Sequence, residues 1–249
     1  MKHAPAALHS IPRKDEPEFS ARLGILRLPL MVCVVYQHAY RPGGTGVVPR
    51  GWVTILDVLL SDGLVMLARP LFFLIAGFFF FAGGKLTRKA MLGKWRSRCS
   101  SVLVPYVLWN LLVLALWAVA QGWTVTAGYV PGAGKHVADF GTWDYANALL
   151  GLQGYPIAYQ LWFLRDLMLL FLLAPLVQFA TRAAPNLFLL ILVSAWLWNL
   201  WPLGIPAAEG VVFFYAGVLL AVSRGGIGLL DRFALPIGVL FAGFLLAYA

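Results

Sequence analysis

The chain has 249 residues, of which 61% are hydrophobic and only 12% charged, with a mean hydropathy of +0.81. A soluble domain carries about 25% charged residues, so this composition excludes an ordinary soluble globule and points to a protein that crosses a membrane repeatedly. The net charge of +9 does not signal nucleic acid, because the basic residues gather in short segments between apolar runs, as membrane topology requires.

Residues 1–22 mix Lys2, Arg13, Lys14 and Arg22 with Asp15, Glu16 and Glu18, and include Pro5, Pro12 and Pro17. The first apolar run contains Arg27 and Pro29 and lacks the small-residue cleavage site of a secretory leader, so residues 1–22 read as a flexible cytoplasmic tail. The first predicted span, Leu23–Tyr40, carries two ionisable residues, Arg27 and His38. Eleven residues turn a helix through about 1100°, three turns plus roughly 20°, so the two share one face. The same eleven steps separate them by about 16 Å along the axis, roughly half of a hydrocarbon core. Ionisable groups at such depth normally face a bundle interior or a wet cavity.

Arg41-Pro42-Gly43-Gly44-Thr45-Gly46 then breaks the helix and lacks the Gly-Lys-Ser/Thr ending of a phosphate-binding loop. Trp52–Asp62 is amphipathic and reads as lying at the outer surface. The second span, Leu64–Ala82, holds Arg69 and Pro70. Lys85–Ser101 is a basic loop with Lys85, Arg88, Lys89, Lys94, Arg96 and Arg98 and no acid, the strongest positive-inside signal in the chain. The third span is Val102–Ala120, and Gly122–Tyr145 is an outer loop. Ala146–Gln160, broken by Gly151, Gly154 and Pro156, either re-enters or lies on the surface.

The fourth span, Leu161–Ala180, has Arg165 and Asp166 near its outer end; as sequence neighbours they point to different sides of a helix. Leu187–Leu203, with Trp196, Trp198 and Trp201, crosses outward, and Val211–Val222 returns from a start a few residues earlier. Ala234–Ala249 begins a seventh crossing. Thirteen of the nineteen Lys and Arg fall in the tail or inner loops and three in outer loops, so the N-terminus is cytoplasmic. The fold expected is therefore all-α, a polytopic transmembrane bundle of about seven spans, with residues 1–22 as tail and 23–249 as the membrane domain.

Each ionisable group has two readings. His38 is an interfacial histidine bathed by headgroups or a general base, neutral near pH 7 and able to take a hydroxyl proton. Arg27 snorkels to the inner headgroups or binds the phosphates of a cytosolic donor. Arg69 sits several residues from either end of its span and is expected to face the same cavity as His38. Arg165 anchors at the outer interface, and Arg96 and Arg98 satisfy topology or touch a donor nucleotide. No zinc set is present: His38 is the only histidine in a span, and Cys33 lies on a different face. No Gly-x-Ser-x-Gly elbow supports a hydrolase triad.

Five stretches together carry a family resemblance. They are RLPLMVCVVYQH (Arg27–His38), RPLFFLIAGFFFF (Arg69–Phe81), LVPYVLWN (Leu103–Asn110), LWFLRDLMLLFLLAPL (Leu161–Leu176) and FFYAGVLLA (Phe213–Ala221). In order and spacing the chain resembles acyltransferase family 3, integral membrane proteins that acylate cell-surface carbohydrates. The resemblance implies acyl-CoA, commonly acetyl-CoA, as a cytosolic donor with no bound cofactor. It implies a glycan or lipid-linked sugar hydroxyl as acceptor, and the inner membrane as location. It marks Arg27 and His38 as the functional pair, places Arg69 just before the Phe-Phe motif and gives Arg96 and Arg98 a part on the donor side; Arg165 is a further candidate for substrate or donor contact. The family has about ten spans, so the chain is expected to be C-terminally truncated, and Ala76 stands where serine is common. The competing reading is a transporter of a sugar or amphiphile with Arg27, Arg69 and His38 along its path; a third is a scaffold whose polar groups only pack the spans.

Overall fold

In the computed structural model the described residues are 16–39, 65–82, 87–126 and 135–222, with single positions at 236, 239 and 243. All regular structure among them is helical: α1 Glu16–Ala39, α2 Val65–Phe81, α3 Arg88–Arg98, α4 Val104–Gly122, α5 Thr142–Leu150, α6 Trp162–Leu172, α7 Ala174–Ala183, α8 Pro185–Leu197 and α9 Ala208–Val222. The predicted breaker at 41–46, the amphipathic stretch Trp52–Asp62 and all but three positions of the seventh crossing lie outside the described residues. The chain divides into two compact units, Met1–Thr87 with Phe214–Ala249, and Arg88–Phe213.

In the first unit α1 packs on α2. Leu30, Ala68, Ile75 and Phe78 form a buried cluster, joined by Cys33, Val34, Leu71, Phe72, Leu220 and Ala221. Helix α1 starts seven residues before the expected span, so Glu16–Arg22 is helix rather than flexible tail. The sequence explains this: Pro17 in the first turn is pre-set for helix and donates no N–H, and acidic residues suit a helix N-terminus. Helix α2 and the Phe214–Val222 part of α9 approach backbone to backbone. A Cβ added at Gly77 would lie 2.2 Å from the Phe214 carbonyl oxygen, and one at Gly217 would lie 2.0 Å from that of Leu74. Each helix thus presents its glycine to the other's carbonyl, the close approach that small residues allow between apolar helices.

In the second unit the basic stretch expected as a loop is helix α3, continuous with α4 through a π-turn at Cys99–Leu103. Pro105 cannot donate to the Ser101 carbonyl, four residues back. The chain widens by one residue instead, and the Val104 N–H reaches the Cys99 carbonyl.

A second proline reshapes the expected fourth span. Leu161–Ala180 is not one helix: α6 and α7 meet at Leu173 with a 59° bend. Pro175 removes the bond that the Phe171 carbonyl would accept. That carbonyl instead accepts the Trp95 indole N–H at 2.7 Å, and the Arg98 guanidinium lies 5.3 Å over the Phe171 ring.

The expected crossing Leu187–Leu203 also ends early, at Leu197. Asn199 takes a left-handed φ of 52°, and the Leu200 N–H returns to the Ala195 carbonyl, a left-handed helix cap for which Asn substitutes for Gly. Helix α9 begins at Ala208, as expected a few residues before Val211.

By length and composition Arg88–Gly122 can cross a membrane, and the bent pair Tyr159–Leu172 with Ala174–Ala183 passes together. Leu67–Phe81, Pro185–Leu197 and Ala208–Val222 are shorter apolar helices. By this test the described residues hold one such span, or two if the bent pair is one; Pro175 and the cap at Asn199 divide or shorten two of the expected crossings. Helix α4 nonetheless leaves Leu108, Trp109, Leu112, Leu116 and Val119 exposed.

Candidate functional site

Arg27 and His38 both lie on α1, an unbroken helix despite Pro29. Leu30 and Val34, three and seven residues after Arg27, pack in the α1–α2 cluster. By register, positions 27 and 38 belong to the same stripe of the helix. Their side chains lie outside the described residues. Arg69 lies on α2, one residue after the fully buried Ala68; it is part-buried itself, with its Nε screened from solvent. In the other unit Arg96 is exposed on α3, whereas Arg98 is part-buried against Phe171.

The most tightly organised polar group is centred on Arg165. Sequence adjacency suggested that Arg165 and Asp166 diverge, with the arginine at an outer interface. They are paired instead: Arg165 Nε donates to Asp166 Oδ1 at 2.9 Å, and Nη2 lies at the same distance. A long flexible guanidinium can curl back along its own helix where a carboxylate awaits it. The Asp166 side chain is fully buried and that of Arg165 is 10% exposed. Asp166 Oδ2 accepts the Ala207 N–H at 2.8 Å, placing a negative charge at the start of α9, where unpaired N–H groups favour it.

The other end of Arg165 holds a loop. Its Nη1 donates to the Gly151 carbonyl at 2.6 Å and also to that of Gly154. Helix α5 ends at Gly151, whose φ of 63° caps it through the Asn147 carbonyl. A Cβ there would meet Arg165 Nη1 at 2.8 Å and Pro156 N at 2.8 Å, so both conformation and space demand glycine. Downstream, Asn147 Oδ1 takes the Gln153 N–H and Asn110 Oδ1 takes the Ala158 N–H, at 2.8 and 3.0 Å. Asn110 is fully buried, and its Nδ2 donates to the Tyr106 carbonyl one turn earlier on α4. Side chains thus bond four backbone groups of the irregular stretch, the Gly151 and Gly154 carbonyls and the Gln153 and Ala158 N–H groups.

Tyr106 is 2% exposed. Its hydroxyl has no hydrogen-bond partner among the described residues. Sequence reasoning weighed neither Tyr106 nor Asn110. The signal available was a carboxamide inside an apolar span, with a phenol four residues earlier on the same face. Among the described residues no three His, Cys, Asp or Glu side chains gather as metal ligands would.

On the far side of α5 a surface clasp fixes the helix start. Asp144 Oδ2 accepts the Gly141 N–H at 2.8 Å and pairs with Lys135 at 2.5 Å. These bonds, the lysine first, hold the Asp144 carboxyl below its ordinary range.

Among the described residues the structure is all-helical, with charged residues set into apolar helices. The acyltransferase domain of family 3 matches residues 21–249, and the chain belongs to this family. Among known proteins, the succinoglycan biosynthesis protein ExoH of Rhizobium meliloti (strain 1021) is 28% identical over 232 residues, 91% of this chain and 60% of that protein. The chain thus spans three fifths of that relative's length. No solved structure matches it.

Proposed function

We propose that this chain is the membrane-embedded part of an O-acyltransferase of the inner membrane. It would be a multi-pass protein with a cytoplasmic N-terminus that moves an acyl group, acetyl in the simplest case, from cytosolic acyl-CoA to a hydroxyl of a cell-surface or lipid-linked glycan. The observation that carries this reading is the family match across residues 21–249, which takes in Arg27, His38, Arg69, Arg96, Arg98 and Arg165. The relative's role in succinoglycan biosynthesis supports a polysaccharide acceptor. The exposed apolar surface of α4 supports a lipid environment.

In this mechanism Arg27 binds the donor's phosphates as a cation. The offset of about 16 Å between positions 27 and 38 suits a long pantetheine arm that carries the thioester away from its phosphates. His38 removes the acceptor hydroxyl proton as oxygen attacks the thioester carbonyl. A C–O bond forms, the C–S bond breaks, and the departing CoA thiolate regains a proton from the imidazolium. Arg69 stabilises the oxyanion that develops between these steps.

The test is purified protein in lipid vesicles with radiolabelled acetyl-CoA and oligosaccharides released from succinoglycan. His38→Ala is expected to lower transfer by about 10²–10⁴-fold, the span of general acid–base catalysis. Arg27→Ala is expected to raise the KM for the donor. Full transfer by the His38 variant would remove the mechanism. Sugar flux without acyl chemistry would favour a transporter.

A further inference from the structure

We propose that the loop between α5 and α6 carries a stacking platform, the Tyr155 ring set against the Trp162 ring, for one uncharged sugar ring of the acceptor glycan. This rests on the acyl-transfer reading and names where the acceptor is held on the outer side.

The first observation is an exposed ring on a fixed backbone. Tyr155 is 68% exposed, yet the chain on both sides of it is tied down. The Gly154 carbonyl before it accepts from Arg165, whose side chain is 10% exposed. After it, Pro156 is buried, and the Ile157 N–H donates to the Ala148 carbonyl at 2.7 Å. A loop that must be ordered on binding loses affinity to that ordering, and this one is ordered beforehand. Tyrosine and tryptophan also offer a large rigid surface at little cost in side-chain entropy.

The ring pair is the second observation. The Tyr155 and Trp162 centroids lie 6.4 Å apart with their planes at 75°, within the range of a direct edge-to-face contact. Trp162 is the first residue of α6 and is part-buried, so it steadies the tyrosine from the helix side. Beside the platform the space is open: a Cβ on Gly154 would meet nothing within 4 Å.

Charge selects the occupant. No residue from Tyr145 to Leu164 is charged, and Gln153 and Gln160, each two residues before one of the rings, are exposed amides. The electron-rich face of an aromatic ring attracts the C–H bonds on a sugar's apolar face, and an amide both donates to and accepts from hydroxyls. An anionic ligand would find no cation on this stretch. Arg165, the next charged residue, is bonded to two carbonyls and to Asp166. Anchoring in lipid is the competing use of an exposed aromatic. Belt residues end apolar spans, as Trp198 does at the end of α8. Tyr155 instead follows α5, whose nine residues are too few to span, and stands on exposed irregular backbone that hydrocarbon would not tolerate.

The experiment uses Tyr155→Ala and Tyr155→Phe in vesicle-reconstituted protein, with Trp198→Ala as the belt control. Binding of oligosaccharides released from succinoglycan is read by calorimetry, alongside transfer kinetics and acceptor-independent hydrolysis of acetyl-CoA. Tyr155→Ala should weaken oligosaccharide affinity roughly tenfold and raise the acceptor KM to match, with donor hydrolysis and melting temperature unchanged. Tyr155→Phe keeps the ring and should keep most of the affinity, and Trp198→Ala should change neither quantity. Unchanged affinity in Tyr155→Ala would overturn the platform, as would an equal loss in Trp198→Ala or a matching loss of donor hydrolysis. Tyr155-dependent binding without any transfer would leave the platform standing and remove the acyl-transfer reading.

Discussion

Gly217→Ala tests the tightest contact in the first unit. An added Cβ would sit 2.0 Å from the Leu74 carbonyl oxygen and 2.8 Å from its carbon, where ordinary contact begins near 3.4 Å. The obstacle is helical backbone and cannot rotate aside, so α2 and α9 must part locally by about 1.4 Å. A gap of even 0.5–1 Å forfeits a quarter to a half of each dispersion contact it opens. Here it would open around Phe214 and Val218, both fully buried. The upper end of overpacking costs, about 3 kcal/mol, is the expected result. At roughly 2–4 °C per kcal/mol for a chain of this size, the apparent melting temperature in detergent should fall by about 6–12 °C. Gly93→Ala is the control: nothing lies within 4 Å of a Cβ there, and a better helix former on α3 should leave stability equal or slightly raised. Gly77→Ala should behave like Gly217→Ala, with the two costs less than additive because one separation relieves both. A Gly217→Ala protein melting with the wild type would refute the close approach.

Arg165→Ala leaves Asp166 as an uncompensated buried carboxylate and frees the Gly151 and Gly154 carbonyls, so a loss of about 3–5 kcal/mol is expected, read as lowered melting temperature and faster proteolysis within residues 151–158. Asp144 gives a pH signature. Its folded carboxyl is held below the ordinary value by Lys135 and the Gly141 N–H, so its contribution is complete above the unfolded pKa of about 4 and disappears as pH falls through the lower folded value. Hydrogen exchange at Gly141 should therefore be protected evenly down to about pH 4 and lose protection below it, and Asp144→Asn should abolish that step.

Part of this molecule could be read before any coordinates. Composition pointed to apolar helices, and the apolar runs placed α2, α4 and α9 to within a few residues, because burying apolar surface is a property of sequence periodicity. Five spaced motifs were sufficient to indicate the family. The order of those runs did not reveal where prolines would act. Pro175 turned one expected span into two helices, and Pro105 put a π-turn into the long helix that joins the basic stretch to the third span. In each case the outcome depended on what neighbouring groups offered, the freed Phe171 carbonyl finding Trp95.

The candidate sites divide in the same way. That Arg27 and His38 share a face of α1 follows from helical geometry alone, since both positions lie on one helix. The Arg165 cluster did not follow. Its partners are Gly151, Gly154, Asp166 and, through Asp166, Ala207, up to 42 residues away along the chain. Side-chain bonds to irregular backbone have no periodicity to betray them, and an Arg-Asp neighbour pair reads from sequence as two groups pointing apart. The sequence by itself therefore determined which residues are too polar for their surroundings; only the tertiary structure decided which of them are already occupied by the protein's own backbone. Among the described residues the Tyr106 hydroxyl and the Gln121 Nε2 are buried polar atoms left with an open hydrogen bond.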